Sequence, residues 1–394
     1  MKKQSFLAQL DGKSRYILIC CFFVFAVNGL YAMILGSLLP LISAEYGLNN
    51  TVSGMLLSAH QVGNLVAGFI AGILPVYLGR KKSIIFLCCF VIVGFLIMIL
   101  TGNPVLLILG FLFTGLSRGS ISNFNNAVVN EVSNSSPAAL NLLHSIFAVG
   151  ALLAPFLVIL CRNIAGDAGW KIAAVTIVVL AFISIILFSQ MKIDSEVEKK
   201  SNGKVSYAFL KYKHFWICAG TLFFYLCAEA TINGWIVKYF KDAGILSIGY
   251  AQVLASLLWV AVLAGRLTCV FIGDRIPKKM ILLMTGIGTV IFYVLLLATQ
   301  NPAFITFSII GLGFCMAGVY PTTIANVGDV IKSYPMSMGV LLVLGGIGAI
   351  IMPVITGILA DQVGLFAGMG AIVFAILLMM ACIVFNLFEK PRDK

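Results

Sequence analysis

Two apolar stretches of this 394-residue chain carry polar residues of the kinds that bind solutes or carry protons. In the first, Gly115–Pro155, Arg118 and His144 stand among apolar residues. The second surrounds Glu229. Both stretches are apolar enough to lie in a membrane, where ionisable side chains are costly and are found mainly at functional positions. We therefore take these polar residues as the candidates for function.

Glu229 is the one carboxylate that lies well inside an apolar run, since the other acids stand near the ends of such runs or between them. A low dielectric favours the protonated form of a carboxyl group. A group that gains a proton on one side of a membrane and loses it on the other can couple transport to a proton gradient. Tyr225 and Asn233 stand four residues before and after Glu229, so a helix places all three on one stripe. The alternative is a structural glutamate in a fixed salt bridge or hydrogen bond.

Arg118 begins a second polar stripe that continues through Ser122 and Asn125, with Asn126 beside it. A guanidinium group in an apolar run needs a partner, and its planar fork suits a carboxylate or a phosphate. One candidate partner is Glu229, which would give Arg118 a structural or gating role. The other is an anionic substrate. We predict the pair with Glu229, and hence a neutral substrate.

Further polar residues share helical faces in other apolar runs. They could be hydrogen-bonded filler, but several such faces in one half of the chain favour a binding cavity. Sugars need several hydrogen-bonding partners and an aromatic surface. The additional candidates for substrate binding are Asn28, Tyr31, His60, Gln61, Asn64, His144, Trp235, Trp259 and Tyr320.

The composition requires a membrane setting for these residues. Apolar residues make up 61% of the chain and charged residues 10%, against roughly 45–50% and about 25% in soluble domains. The net charge of +12 comes from Lys and Arg in the gaps between apolar runs, without a basic face interleaved with aromatic residues. We therefore predict no nucleic-acid partner.

The apolar runs predict an all-α protein with twelve membrane helices, because one crossing needs about 20 apolar residues. The predicted spans are 16–39, 51–75, 82–101, 104–128, 138–161, 169–190, 215–238, 248–272, 279–299, 302–326, 336–359 and 365–388. A repeat at an offset of 198 residues indicates two related halves. Under this offset Asn103-Pro104 recurs as Asn301-Pro302, Gly115 as Gly313, Gly150 as Gly348 and Pro155 as Pro353.

The loops set the predicted domains and orientation. Residues 191–213 form the longest polar stretch, which predicts a linker between a first bundle at 1–190 and a second at 214–394. Twenty Lys and Arg residues fall on the side of the two termini, and four fall on the other. Because basic loops stay in the cytoplasm, both termini and the linker are predicted to be cytoplasmic.

The loop after the second span reads Gly72-Ile-Leu-Pro-Val-Tyr-Leu-Gly79-Arg80-Lys81-Lys82. It resembles the loop motif of the major facilitator superfamily, in which an Asp precedes Gly-Arg-Lys. Val76 holds the Asp position here, whereas the second copy has Asp274, followed by Arg275. The resemblance implies two pseudo-symmetric six-helix halves, transport by alternating access, and gating roles for Arg80, Asp274 and Arg275. The first-half gate lacks its usual acidic member.

Other segments resemble sugar transporters of that superfamily. Gly318-Val-Tyr-Pro-Thr-Thr and Gly346 to Asp361 resemble the fucose–proton symporter branch, and Leu143 to Pro155 is similar to sodium-dependent glucose transporter-like proteins. Ala264-Gly265-Arg266 fits the same branch, which implies a structural place for Arg266 near the cytoplasmic gate. The resemblance implies a sugar substrate with a proton, or alternatively sodium, as the coupling ion. The acidic residues that the fucose branch carries in its first and fourth helices are missing.

No nucleophile–base pair, metal-ligand spacing or Walker-type loop occurs in the sequence. We therefore predict a protein that is not an enzyme and has no cofactor or metal. The predicted protein is a monomer of the bacterial inner membrane, with a small-molecule substrate and membrane lipid as its partners. The leading function is secondary active transport of a small polar solute, a sugar, with protons. The alternatives are a proton-coupled exporter of hydrophobic or amphiphilic compounds and a transporter of an organic anion.

Overall fold

A computed structural model describes residues 11–133, 137–191, 206–272, 275–334 and 336–389, and these residues form helices without any strand. The helices are α1 (Gly12–Tyr46), α2 (Asn50–Leu78), α3 (Arg80–Leu100), α4 (Pro104–Val132), α5 (Pro137–Ala165), α6 (Gly169–Gln190), α7 (Lys213–Asp242), α8 (Ile248–Ile272), α9 (Lys278–Ala298), α10 (Pro302–Asn326), α11 (Gly328–Ser333), α12 (Met336–Gln362) and α13 (Leu365–Phe388).

The described residues contain eleven apolar helical stretches long enough to cross a membrane. One of them, Leu142–Gln190, has 49 residues and joins α5 to α6 through the short 3-10 helix Gly166–Ala168. A crossing takes about 20 residues, so this stretch holds two crossings. The predicted all-α fold and its spans are confirmed. The six-residue α11 was not predicted, and α1 extends to 35 residues, beyond the predicted 16–39.

The repeated Asn-Pro pair marks the same helix start in both halves of the chain. The side chain of Asn103 accepts hydrogen bonds from the backbone N–H groups of Val105 and Leu106 at the start of α4. Asn301 accepts from Ala303 N at the start of α10. Proline follows each asparagine at the first helical position. A backbone N–H at this position would have no partner within the helix, so proline loses no hydrogen bond there.

The described residues group into two compact units. Unit 1 holds α1, α2 from Ala59 onward, and α3 to α6. Unit 2 holds α7 to α13 together with Asn49–Ser58, which include the first two turns of α2. The predicted first bundle, residues 1–190, contains all of α2, including these first two turns. Most of the predicted linker, residues 192–205, lies outside the described residues.

Glycines bring helix backbones into direct contact within unit 1. A methyl group added at Gly29 would overlap the carbonyl oxygen of Phe147, and one added at Gly150 would overlap that of Ala26. The backbones of α1 and α5 therefore meet without intervening side chains, as small residues allow in membrane bundles. Likewise, Gly115 of α4 meets the carbonyl oxygen of His60 on α2.

The glycines that match Gly150 and Gly115 at the 198-residue offset make the corresponding contacts in unit 2. Gly348 of α12 lies against the carbonyl oxygen of Phe223 on α7. Gly313 of α10 lies against the carbonyl oxygen of Leu258 on α8. The glycines that reveal the repeat in the sequence are therefore those that allow helices to pack closely in each unit.

Gly150→Ala is expected to destabilise the protein, because the added methyl group meets the backbone of α1, which cannot move aside like a flexible side chain. Overpacking of this kind costs about 1–3 kcal/mol, which corresponds to a fall in melting temperature of roughly 2–4 °C per kcal/mol. Thermal unfolding of the purified protein in detergent measures it. Gly370→Ala in α13 is the matched control, since a methyl group there meets nothing within 4 Å. Equal melting temperatures for the two variants would contradict the packing argument.

Candidate functional site

In unit 1, α4 is the helix to which the polar residues of α1, α2 and α5 connect. Asn28 of α1 is fully buried, and its Nδ2 donates to Ser122 Oγ at 3.0 Å and to the carbonyl oxygen of Arg118 at 3.4 Å. His144 Nε2 of α5 lies 3.1 Å from Asn126 Oδ1. The predicted polar faces of α1, α4 and α5 thus meet in one cluster.

The connection from α2 is a directed hydrogen-bond chain through His60. Thr114 Oγ1 donates to the carbonyl oxygen of Phe111 at 2.7 Å, so it accepts the hydrogen bond from His60 Nδ1 at 2.9 Å. His60 Nε2 then carries no proton and accepts from Arg118 Nη1 at 3.3 Å. Because a doubly protonated ring has no acceptor, this arrangement requires a neutral His60.

The other predicted residues of unit 1 lie near this cluster with different exposures. Tyr31 is 1% exposed, and its hydroxyl lies near the side chains of Ser117 and Arg118. Gln61 and Asn64 are partly buried on α2. Asn125 is fully buried, and its Nδ2 donates back to the carbonyl oxygen of Ile121 at 3.1 Å, which ties that group to its own helix.

In unit 2, Glu229 stands at the centre of a stripe on α7, as its spacing predicted. Tyr225 donates its hydroxyl hydrogen to Glu229 Oε1 at 2.8 Å. Asn233 Nδ2 donates to the backbone carbonyl oxygen of Glu229 at 2.9 Å, so this group is bonded within α7. Tyr225 is 2% exposed, whereas Glu229 and Asn233 are partly buried.

A small cavity of about 10 Å³ lies beside Glu229. Its walls come from α7, α8 and α10, and it is lined by Glu229, Ile232, Asn233, Leu258, Trp259, Val262 and Met316. Trp259, 8% exposed, gives the cavity the flat aromatic wall that the sequence predicted. Met316 belongs to this wall without having been predicted, because an apolar residue in an apolar helix gives no signal.

Arg266 of α8 lies on the same side of unit 2 as this stripe. Trp259, Val262 and Arg266 are spaced by three and four residues, so they share one helix face, and the first two line the cavity. Arg266 and Glu229 both lie near the hydroxyl groups of Tyr225 and Tyr320, whose rings lie 6.3 Å apart. The gating role predicted for Arg266 stays a prediction, and its position brings it near the Glu229 group as well.

Trp235, predicted as an aromatic platform, is fully buried on α7. Its indole Nε1 has no hydrogen-bond partner among the described residues. The ring is therefore packed inside unit 2, whereas Trp259 lines a cavity.

The predicted gate residues have different surroundings. Arg80 Nη2 pairs with Glu131 Oε2 at 2.9 Å and so connects the start of α3 to the end of α4. Val76, at the position of the missing acid, is 65% exposed, and Glu131 supplies a carboxylate that sequence reasoning did not connect with Arg80. Arg275 is exposed, and Asp274 lies outside the described residues.

Among the described residues, no group of three or more His, Cys, Asp or Glu side chains could hold a metal ion. The polar groups of unit 1 offer hydrogen bonds, and those of unit 2 add a carboxyl group beside aromatic rings. Hydrogen-bonding groups such as those of unit 1 can bind a solute, and a carboxyl group such as that of unit 2 can exchange a proton.

Comparison with known proteins identifies the family. Residues 21–268 and 218–394 match the Major Facilitator Superfamily, and together these ranges take in most of the chain. The chain belongs to that superfamily. The superfamily resemblance noted in the sequence is thereby confirmed, and membership makes the protein an integral membrane transporter and not an enzyme.

Curated relatives match over nearly the full length of this superfamily member. A "Protein TsgA homolog" of Buchnera aphidicola subsp. Schizaphis graminum is 22% identical over 379 residues, which cover 94% of this chain and 96% of the relative. A "Protein TsgA homolog" of Yersinia enterocolitica is 19% identical over 386 residues, which cover 94% of this chain and 95% of the relative.

Solved structures of superfamily transporters share the fold. A D-xylose–proton symporter aligns with a TM-score of 0.78 at 13% identity, over 95% of this chain and 98% of the other. The nucleoside transporter NupG aligns with a TM-score of 0.74 at 13% identity, over 96% of this chain and 100% of the other. At these identities the likeness establishes the fold alone.

Proposed function

We propose that this transporter moves a small, polar, uncharged solute of the sugar class and couples its movement to protons through Glu229. The observation that carries the proposal is the setting of Glu229. Its carboxylate accepts a hydrogen bond from Tyr225, and Glu229 lines a small cavity together with Trp259. A residue that can take up a proton thus lies beside an aromatic ring, a kind of side chain on which sugars stack.

The polar cluster of unit 1 supports a neutral, hydroxyl-rich solute. Apart from Arg118, its members are amides, hydroxyls and the imidazoles of His60 and His144. Amides, hydroxyls and a neutral imidazole can both donate and accept hydrogen bonds. The solved structures that share the fold include a D-xylose–proton symporter and a nucleoside transporter. Both proteins are named for hydroxyl-bearing solutes, which agrees with this proposal.

A transporter of an organic anion is the second candidate. The observation in its favour is the pair of arginines: Arg118 belongs to the polar cluster of unit 1, and Arg266 lies near Tyr225 and Tyr320 in unit 2. A guanidinium group forms strong bidentate hydrogen bonds with carboxylates. The charge of the solute therefore distinguishes the two candidates.

The proposal places the protein in a bacterial inner membrane as a monomer among lipids, with both termini and the 191–213 linker in the cytoplasm. The excess of Lys and Arg on that side supports this orientation. Labelling of a single cysteine in the linker from outside intact cells would contradict it.

Uptake into proteoliposomes tests the function. The panel contains pentoses and hexoses, nucleosides, organic anions and an amphiphilic drug, each measured with and without an inward proton gradient and with sodium or potassium outside. We expect a neutral polar solute to accumulate only when the proton gradient is present. Accumulation of organic anions alone would favour the second candidate. Accumulation that follows sodium and ignores pH would overturn proton coupling.

A further inference from the structure

Thr114 is a buried threonine of α4 that bonds both to its own helix and to a side chain of α2. It is 0% exposed and stands one turn before Arg118. Its hydroxyl donates to the carbonyl oxygen of Phe111 at 2.7 Å, and the same oxygen lies 2.9 Å from His60 Nδ1. All four residues belong to unit 1. Thr114 therefore connects the backbone of α4 to the imidazole ring of His60.

The single hydroxyl hydrogen of Thr114 decides which nitrogen of His60 carries a proton. A hydroxyl group has one hydrogen to donate, and Thr114 uses it on Phe111, so it can only accept from His60 Nδ1. In the neutral ring Nε2 is then the acceptor, and it lies 3.3 Å from Arg118 Nη1. The reverse tautomer would direct an N–H group at the N–H groups of Arg118. Thr114 and Arg118 thus favour the same tautomer from opposite sides of the ring.

Close packing of α2 on α4 fixes the distances in this chain of hydrogen bonds. A methyl group at Gly63 of α2 would overlap the carbonyl oxygen of Leu112, and one at Gly119 of α4 would overlap that of Asn64. The two backbones therefore meet without side chains between them on the turns around His60. A short hydroxyl side chain can span the remaining gap, and packed helices hold a site more precisely than loops do.

The chain leads from the interior of unit 1 to a more accessible group. Thr114 is 0% exposed and His60 is 3% exposed, whereas Arg118 is partly buried. A guanidinium group is planar and has five N–H donors in a rigid fork, so a hydrogen bond to one of them also orients the others. A long side chain that is oriented in advance loses less conformational freedom when it binds a partner.

We propose that Thr114 is a positioning residue of the solute site: its hydroxyl sets the tautomer of His60, and His60 in turn holds Arg118 in its binding orientation. Thr114 acts through these two residues and not by touching the solute. The inference rests on the proposed function in taking Arg118 as part of the site. It applies equally to a neutral and to an anionic solute.

Uptake into proteoliposomes tests whether Thr114 acts through Arg118. Thr114→Val removes the hydroxyl and nearly keeps the shape, and Thr114→Ser keeps the hydroxyl. Each is made in the parent and in Arg118→Ala. Thr289→Val is the matched control, because Thr289 is 1% exposed on α9 and its hydroxyl donates to the carbonyl oxygen of Thr285 at 2.8 Å. The probes are D-xylose, uridine and succinate.

For each probe that the parent takes up, Thr114→Val should raise the concentration at half-maximal uptake about tenfold, the factor that corresponds to 1.4 kcal/mol. The maximal rate should stay near that of the parent, Thr114→Ser should recover the parent value, and Thr289→Val should match it. In Arg118→Ala, Thr114→Val should cause no further rise, because the two residues act as one unit. An equal rise in both backgrounds, or no recovery with Thr114→Ser, would overturn the proposal.

Solid-state NMR of isotope-labelled histidine in nanodiscs tests the first step without any solute. The chain has three histidines, His60, His144 and His214, and the signal that His60→Gln removes is that of His60. In the parent, Nδ1 should carry the proton and Nε2 should be bare. In Arg118→Ala, adding Thr114→Val should shift the ratio of the two tautomers about tenfold toward protonated Nε2, the same factor as above.

A protonated Nε2 in the parent would overturn the proposal even if Thr114→Val does not fold. If the parent takes up none of the three probes, the proposed function is wrong for these solute classes. The NMR result then decides the role of Thr114 by itself.

Discussion

Glu229→Gln is expected to abolish accumulation driven by a proton gradient while leaving exchange of the solute partly intact. Gln keeps the size of Glu and an oxygen that can accept from Tyr225, which donates at 2.8 Å to the carboxylate, but it cannot take up a proton. One proton per solute at a pH difference of one unit supports about tenfold accumulation, since this difference is worth 1.36 kcal/mol. The variant should reach a ratio of about one. Uptake and counterflow in proteoliposomes measure the two activities separately.

Glu389→Gln is the matched control for this experiment. It makes the same substitution after the end of α13, where the carboxylate lies 3.9 Å from Lys213 Nζ, and it should accumulate solute normally. Tenfold accumulation by Glu229→Gln would show that the carboxyl group has a structural role. Loss of exchange together with accumulation would indicate damage to solute binding.

Arg118→Ala is expected to lower uptake by about tenfold to a hundredfold, because hydrogen bonds to a charged group are worth about 1.5–3 kcal/mol. The substitution removes the donor at 3.3 Å from His60 Nε2 and leaves that buried acceptor without its donor. Arg118→Lys should recover only part of the activity, because a lysine lacks the planar fork. Asn123→Ala, at an exposed position on the same helix, is the control and should transport normally.

A double-mutant cycle decides the role of Arg118. If Arg118 pairs with Glu229, as the sequence analysis predicts, Glu229→Gln should add little to the loss already caused by Arg118→Ala. If Arg118 binds an anionic solute, the two losses should add, and the solute concentration at half-maximal uptake should rise strongly in Arg118→Ala. Additive losses together with inhibition by organic anions would disprove the predicted pair and the neutral substrate.

The helices and their order could be predicted from the sequence because the membrane allows few alternatives. A chain in hydrocarbon must satisfy its backbone hydrogen bonds within each segment, so every long apolar run becomes a helix. The repeat at an offset of 198 residues could also be recognised in the sequence, because close helix packing requires glycine at the contact positions. Gly150 and Gly348 hold matching places in the two units for that reason.

The candidate site was only partly predictable. Polar residues in an apolar run attract attention because they are costly there, which is how Glu229, Arg118, His60 and Asn28 were found. Their contacts required the structure. Thr114, which accepts from His60, and Met316, which lines the cavity beside Glu229, are ordinary residues of a membrane helix.

Residues at helix ends likewise have contacts that could not be predicted from the sequence. Glu131 and Asp361 stand near the ends of apolar runs, where acids are common and give no signal in the sequence. Glu131 pairs with Arg80, 51 positions away, and Asp361 caps α2, 310 positions away. The sequence by itself determined the fold class, the helices and the costly polar residues, because each follows from local composition in a membrane. Only the tertiary structure decided which groups meet, because a contact depends on how helices far apart in the chain are packed.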